Sequence, residues 1–159
     1  MIREVTQHDL SSITQLEAIC FPQKEAADKE SLKQRIQTFP NGFLLMEVDG
    51  KIIGMINGCI TNQKTIHDDL YSNSLLHDPY GDYQAIFGLD IHPDYRHLGY
   101  AKKLMNTFIK RAKNEGRKGM ILTCKKHLIG FYESFGYCNL GISDSTHGDA
   151  VWYDMILVF

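Results

Sequence analysis

The chain has 159 residues, 43% hydrophobic and 23% charged, with a formal net charge of -2. That length suits one domain, residues 1–159, with a core of its own, and the composition is that of an ordinary globular protein. The near-neutral balance gives no overall attraction to nucleic acid or to an anionic membrane surface, and no apolar run is long enough to cross a bilayer.

In chain order, the opening "MIREVTQHDL" lacks the apolar centre of a secretion signal and begins with a short apolar alternation, Ile2 to Val5. Leu10, Ile13, Leu16 and Ile19 recur at threes, which predicts a helix with Asp9 placed to cap it. A second stripe, Leu32, Ile36 and Phe39, stops at Pro40. "GFLLMEV" and "KIIGMINGCI" flank Asp49-Gly50, the turn pair of a hairpin. The connection from Thr61 to Tyr83 is long and carries Tyr71, Tyr80, Tyr83 and several aspartates. It reads equally well as a binding lid or as a hairpin tip holding a helical turn.

"AIFGLDIH" predicts a strand stopped by Pro93. Ala101, Leu104, Met105, Phe108, Ile109 and Ala112 then form one apolar helix face, opposite Lys102, Lys103, Lys110 and Arg111, and Gly116 closes the helix. "GMILTC" is a strand, "HLIGFYESFG" a helix ending at Gly136, and "YCNLGI" and "VWYDMILVF" are closing strands. The order β-α-α-β-β-β-α-β-α-β-β predicts an α/β chain with a mixed, mostly antiparallel sheet and helices on both faces. The last strand, Val151 to Phe159, is a candidate exposed edge through which two copies would pair. Cys20, Cys59, Cys124 and Cys138 form no CxxC pair and lie in apolar contexts. They read as reduced core thiols of a cytoplasmic protein, not as a metal site or a disulfide frame, and a catalytic thiol stays open as the rarer alternative, since a buried thiol is usually inert.

The turn Arg96-His97-Leu98-Gly99-Tyr100-Ala101 joins a strand to a helix. The first amides of a helix lack partners and sit at the positive end of its dipole. Small residues at Gly99 and Ala101 let a diphosphate approach that backbone, and Lys102 and Lys103 add charge. Taken alone, the same six residues serve equally well as a plain strand-to-helix turn.

"LDIHPDYRHLGYAKKLM" resembles motif A of the GNAT superfamily of N-acetyltransferases, Gln/Arg-x-x-Gly-x-Gly/Ala, with Arg96, Gly99 and Ala101 in its three places. "MILTCKKHLIGFYESFGY" resembles that superfamily's second block. The resemblance implies the GNAT fold and acetyl-coenzyme A as co-substrate, without a metal. The diphosphate would lie on His97, Leu98, Gly99, Tyr100, Ala101 and Lys102, and the pantetheine arm along the backbone of Leu89, Asp90 and Ile91. "LEAICFP", the acidic segment ahead of motif A and "LTCKKHLIGFYESFGY" are similar to the arylalkylamine (serotonin) N-acetyltransferase branch. Ribosomal-protein N-terminal acetyltransferases usually carry an asparagine where this chain has Lys125.

The resemblance makes Tyr132 the acid that protonates the departing thiolate. A phenol, with a pKa of about 10, keeps its proton at neutral pH. The acceptor, a small primary amine such as an arylalkylamine attacking directly in a ternary complex, must first lose a proton. For an amine of pKa about 10.4 that costs about 4.6 kcal/mol at pH 7. The histidine pair of the arylalkylamine branch falls on Ala85 and Phe87, so the base is not carried over. Strict alternation puts Ala85, Phe87, Leu89 and Ile91 on one strand face and Asp90 and His92 on the other, unless a bulge turns Asp90 inward. Asp90, Asp82, His77 and a water chain all stay open as the base. Asp68, Asp69, Asp78 and Asp82 are candidates to attract a cation, and Phe21, Pro22 and the loop tyrosines to form an aromatic pocket. Two other functions remain: acetylation of peptide or protein amines, and sensing of acetyl-coenzyme A without catalysis.

Overall fold

The computed structural model describes residues 1–159. In chain order the strands are β1 (Ile2–Glu4), β2 (Phe43–Val48), β3 (Lys51–Asn57), β4 (Ile60–Thr61), β5 (Tyr83–Ile86), β6 (Gly88–Ile91), β7 (Gly119–Cys124), β8 (Cys138–Ile142) and β9 (Tyr153–Val158). The helices are α1 (Leu10–Cys20), α2 (Lys29–Thr38), α3 (Asp68–Ser72), α4 (Tyr100–Asn114) and α5 (Ile129–Glu133). Two sheets result. One is antiparallel, in the order β1-β2-β3-β6. The other runs β4-β5-β7-β9-β8, and only its β5–β7 pair is parallel. No helix is long and apolar enough to cross a membrane.

Period-two alternation places the helices. On β2, Leu44 and Met46 face a core shared with Leu104, Met105 and Phe108 of α4, while Phe43 and Leu45 face Ile13, Leu16, Leu32 and Ile36 of α1 and α2. Each such buried side chain contributes about 1.5–3 kcal/mol against the entropy of ordering it. The hairpin turn forms as expected, with Asp49 and Gly50 both at positive φ. Asp9 departs from its expected role. Its carboxylate accepts from the Thr6 amide at 2.8 Å and pairs with Arg3, tying a short 3-10 turn ahead of α1.

The segment "AIFGLDIH" is two strands, not one. Ile86 packs into the α4 core, and so do Leu89 and Ile91. An even position and two odd ones on one side mean that the alternation slips by one residue at Phe87-Gly88. The slip moves Asp90 to the side of Ala85 and Phe87, beneath α1 and α2. The partner run breaks at the same level, between β3 and β4, at Gly58. A Cβ on Gly58 would stand 1.8 Å from the Ala85 carbonyl oxygen. Gly58→Ala should therefore cost about 3 kcal/mol, seen as a lower urea midpoint with an unchanged m-value.

The last strand is not an edge. β9 bonds to β7 on one side and β8 on the other, so it is not free to pair with a second copy; β4 and β8 are the edges of its sheet. The 61–83 connection is ordered. Ile66 and Leu70 are buried with Phe39 and Tyr83, and the Tyr71 hydroxyl meets Thr123 Oγ1 at 2.6 Å. Of the cysteines expected in the core, Cys59 and Cys124 are buried, Cys20 is half-buried and Cys138 is exposed.

Candidate active site

The slip at Phe87 opens the site. β5 stays paired with β7 through Ile86 and Leu122, but β6 pairs only with β3 and is the end strand of its sheet. Past Leu122 the two sheets part. Two cavities fill the gap, of about 620 and 420 Å³. They share Phe21, Glu25, Leu89, Leu128, Tyr132 and Trp152, so they meet across these residues.

The larger cavity is bounded by Leu89, Ile91, Arg96, His97, Gly99, Tyr100, Ala101 and Lys102, together with Phe131, Tyr132 and Lys125. None of the backbone amides of residues 97–102 donates to another group of the chain. His97 and Gly99 are left-handed, at φ 62 and φ 88, and they turn this run of donors toward one side. Arg96 acts as a brace, its Nε donating to the Ile91 carbonyl at 2.9 Å. Leu98 points its side chain to solvent, and the Asp90 side chain lies on the far face of β6, so neither lines this cavity.

Tyr132 stands between the cavities on α5, packed edge-on against Phe131 and Tyr137. Burial pushes its phenol well above the usual range, so it keeps its proton throughout the neutral range. Neighbouring Cys124 is pushed up to about 11 by burial, which leaves its thiol inert.

The smaller cavity has aromatic walls. Phe87 packs on Tyr71 at 5.0 Å and under the Arg35 guanidinium at 4.9 Å, and Phe21 and Trp152 complete the lining. The segment between β8 and β9 roofs it. His147 Nε2 donates to the Glu25 carbonyl at 2.8 Å, Trp152 Nε1 donates to the His147 carbonyl at 2.8 Å, and Glu25 pairs with Lys125 at 2.8 Å.

Most of the expected bases lie elsewhere. His77 Nδ1 accepts from the Ile60 amide at 3.0 Å and touches neither cavity. Asp82 pairs with Lys118 at 3.4 Å, outside both. Ala85 is buried beside the site, and Phe87 forms its wall. Of the loop aspartates only Asp68 reaches the smaller cavity, and it accepts from Ser145 and from the Thr146 amide at 3.1 Å. No cluster of His, Cys, Asp or Glu is arranged to hold a metal ion.

Sequence reasoning missed Glu17, Glu25, Arg35, His147 and Trp152. For two of them there was a signal: Glu17 adjoins Leu16 and follows Ile13 by four, and Arg35 follows Leu32 by three. Both are therefore charges on apolar helix faces. Asp90 is buried, and that burial together with the Glu17 carboxylate raises its pKa well above the usual range. A raised native pKa means that Asp90 favours the fold fully below its unfolded value of about 3.9, and that this contribution is lost as pH rises toward the native value. Asp90→Asn should flatten that decline. The variant's stability advantage in urea titrations should grow from pH 4 upward.

The family model for the acetyltransferase (GNAT) family matches residues 10–137. The chain belongs to this acetyltransferase family. It is 31% identical over 117 residues to YkwB of Bacillus subtilis (strain 168), an uncharacterized N-acetyltransferase, covering 67% of this chain and 52% of that protein. It is 27% identical over 133 residues to YhcX of the same strain, a probable hydrolase, covering 77% of this chain and 25% of that protein. The chain thus spans about half the length of one curated relative and a quarter of the other. Among solved structures, the GphF GNAT-like decarboxylase in complex with isobutyryl-CoA superposes with a TM-score of 0.84 at 22% identity, over 99% of this chain and 98% of that one. The two-sheet, split-strand architecture is thus the GNAT fold.

Proposed function

We propose that this GNAT protein transfers acetyl from acetyl-coenzyme A to a small primary amine, by direct attack within a ternary complex. The observation that carries this is the meeting of the two cavities at Tyr132. The larger takes the coenzyme. The amides of 97–102, with Lys102, receive the diphosphate, and the open edge of β6 at Leu89 to Ile91 receives the pantetheine arm. The smaller takes the amine. Holding both reactants at one junction replaces a bimolecular encounter with an oriented one. Tyr132 gives its proton to the thiolate as the C–S bond breaks. The amide nitrogen loses its second proton back to the phenolate. The fold match to a coenzyme A thioester complex and the N-acetyltransferase relative support the donor.

The aromatic walls favour an arylalkylamine. The roof disfavours a peptide: the His147–Glu25 bond closes across the groove a polypeptide would need. The proposed setting is the cytoplasm. The test is thiol release from acetyl-coenzyme A with arylalkylamines, polyamines and short peptides. Release with arylalkylamines is expected. Release with peptides alone would overturn the acceptor, and tight coenzyme binding without release to any amine would make the protein a sensor.

A further inference from the structure

An ammonium in the smaller cavity must lose a proton before it attacks, and Tyr132 is already the acid. Glu17 of α1 borders that cavity and is 6% exposed. Its Oε2 accepts from the Ala27 amide at 2.8 Å, while its buried Oε1 has no partner. Behind it lies Asp90 of β6, 1% exposed, with both carboxyl oxygens unpartnered. Gly88 lies beside both. A Cβ there would stand 3.2 Å from Asp90 Oδ1 and 3.8 Å from Glu17 Oε1. The two carboxyls thus lie on either side of one backbone position, buried, with no cation hydrogen-bonded to either, and like charges held so close in a dry site favour one proton between them.

The charged and titratable groups that act on the pair are Cys20 from α1, Arg35 from α2 and Tyr132 from α5, while Cys59 beyond β3 and Tyr71 from α3 lie around Arg35. Arg35 is the only cation among them. Its Nη1 and Nη2 are given to Asn57 Oδ1 at 3.0 Å and to the Tyr71 carbonyl at 3.3 Å, so it supplies a field and not an ion pair.

The geometry points to Glu17 as the base that takes the proton of the acceptor ammonium, with Asp90 as a positioning residue that holds the pair's one resting proton against it. This rests on the acetyl-transfer reading. The resting pair is a monoanion. It takes one proton from R–NH3⁺, and the free amine forms the N–C bond to the thioester carbonyl as C–S breaks. The doubly protonated pair is neutral, so no charge is left buried, and its extra proton leaves through the cavity to solvent. Net, ammonium and thioester give amide, thiol and one proton.

The test pairs kinetics with titration. With 2-phenylethylamine as acceptor, Glu17→Gln should lower kcat/KM about 100-fold at pH 7, with coenzyme A affinity unchanged in calorimetry. Its rate should then climb with pH toward the amine's own ionisation, where the parent protein levels off. In the protein without acceptor, carboxyl 13C shifts should show two well-separated protonation steps for Glu17 and Asp90, and a single step in Asp90→Asn. A Glu17→Gln profile matching the parent would overturn the proposal. So would a His147→Gln variant that alone abolishes the ionising limb, or both carboxyls ionised below pH 5. If the parent protein releases no thiol with any amine, acetyl transfer fails and the base role falls with it, while the carboxyl titration still decides the shared proton.

Discussion

Ala101→Glu should weaken acetyl-coenzyme A binding at least about 100-fold, a loss of about 3 kcal/mol from setting a carboxylate against the diphosphate. Ala101 borders the larger cavity in the first turn of α4, beside the run of unpartnered amides. The same substitution should leave the free protein as stable as before or slightly more so, because a carboxylate at a helix N-terminus is favoured by the dipole. Calorimetry and thermal melts together read both effects. Ala101→Gln separates size from charge: it adds the same bulk, and it should bind markedly better than the glutamate variant. Equal, undiminished affinity in all three proteins would move the diphosphate off this turn.

Tyr132→Phe should lower turnover about 100-fold, within the range of a lost general acid, with little change in coenzyme affinity or melting temperature. The ring keeps its packing against Phe131 and Tyr137, and the hydroxyl makes no hydrogen bond within the chain, so its loss orphans no partner. Burial keeps the phenol protonated far above neutrality, so no alkaline limb from Tyr132 should appear in the working pH range. Wild-type turnover in the phenylalanine variant would remove Tyr132 from the mechanism.

Much of the fold was legible because its causes are local. The stripe Leu104, Met105, Phe108 and Ala112 is a helix face wherever it is read, and those four residues are buried on α4. Asp49-Gly50 needs positive φ at both positions, and the hairpin forms on them. Gly99 marked the turn for the same reason, with φ 88 at the helix cap. The arrangement Arg96-x-x-Gly99-x-Ala101 points to the family through three residues in one turn, and the match over residues 10–137 bears it out.

The split at Phe87 was not legible. Ala85, Ile86 and Phe87 are all apolar and the strand is covered on both faces, so a one-residue slip leaves no mark in the pattern. That slip decides where Asp90 points. Nor did the sequence reveal that β9 lies inside its sheet. Strand order depends on which edge each crossover returns to, and the residues of β9 read alike at an edge or between neighbours. Glu17, Arg35 and Asp90 come from two helices and a strand, and only packing brings them together. The elements, the glycine turn ahead of α4 and the family are written in the residues themselves, because they rest on short-range stereochemistry and local pattern. The smaller cavity, its roof and the buried carboxyl pair are set by packing, because each is a meeting of segments that no local periodicity encodes.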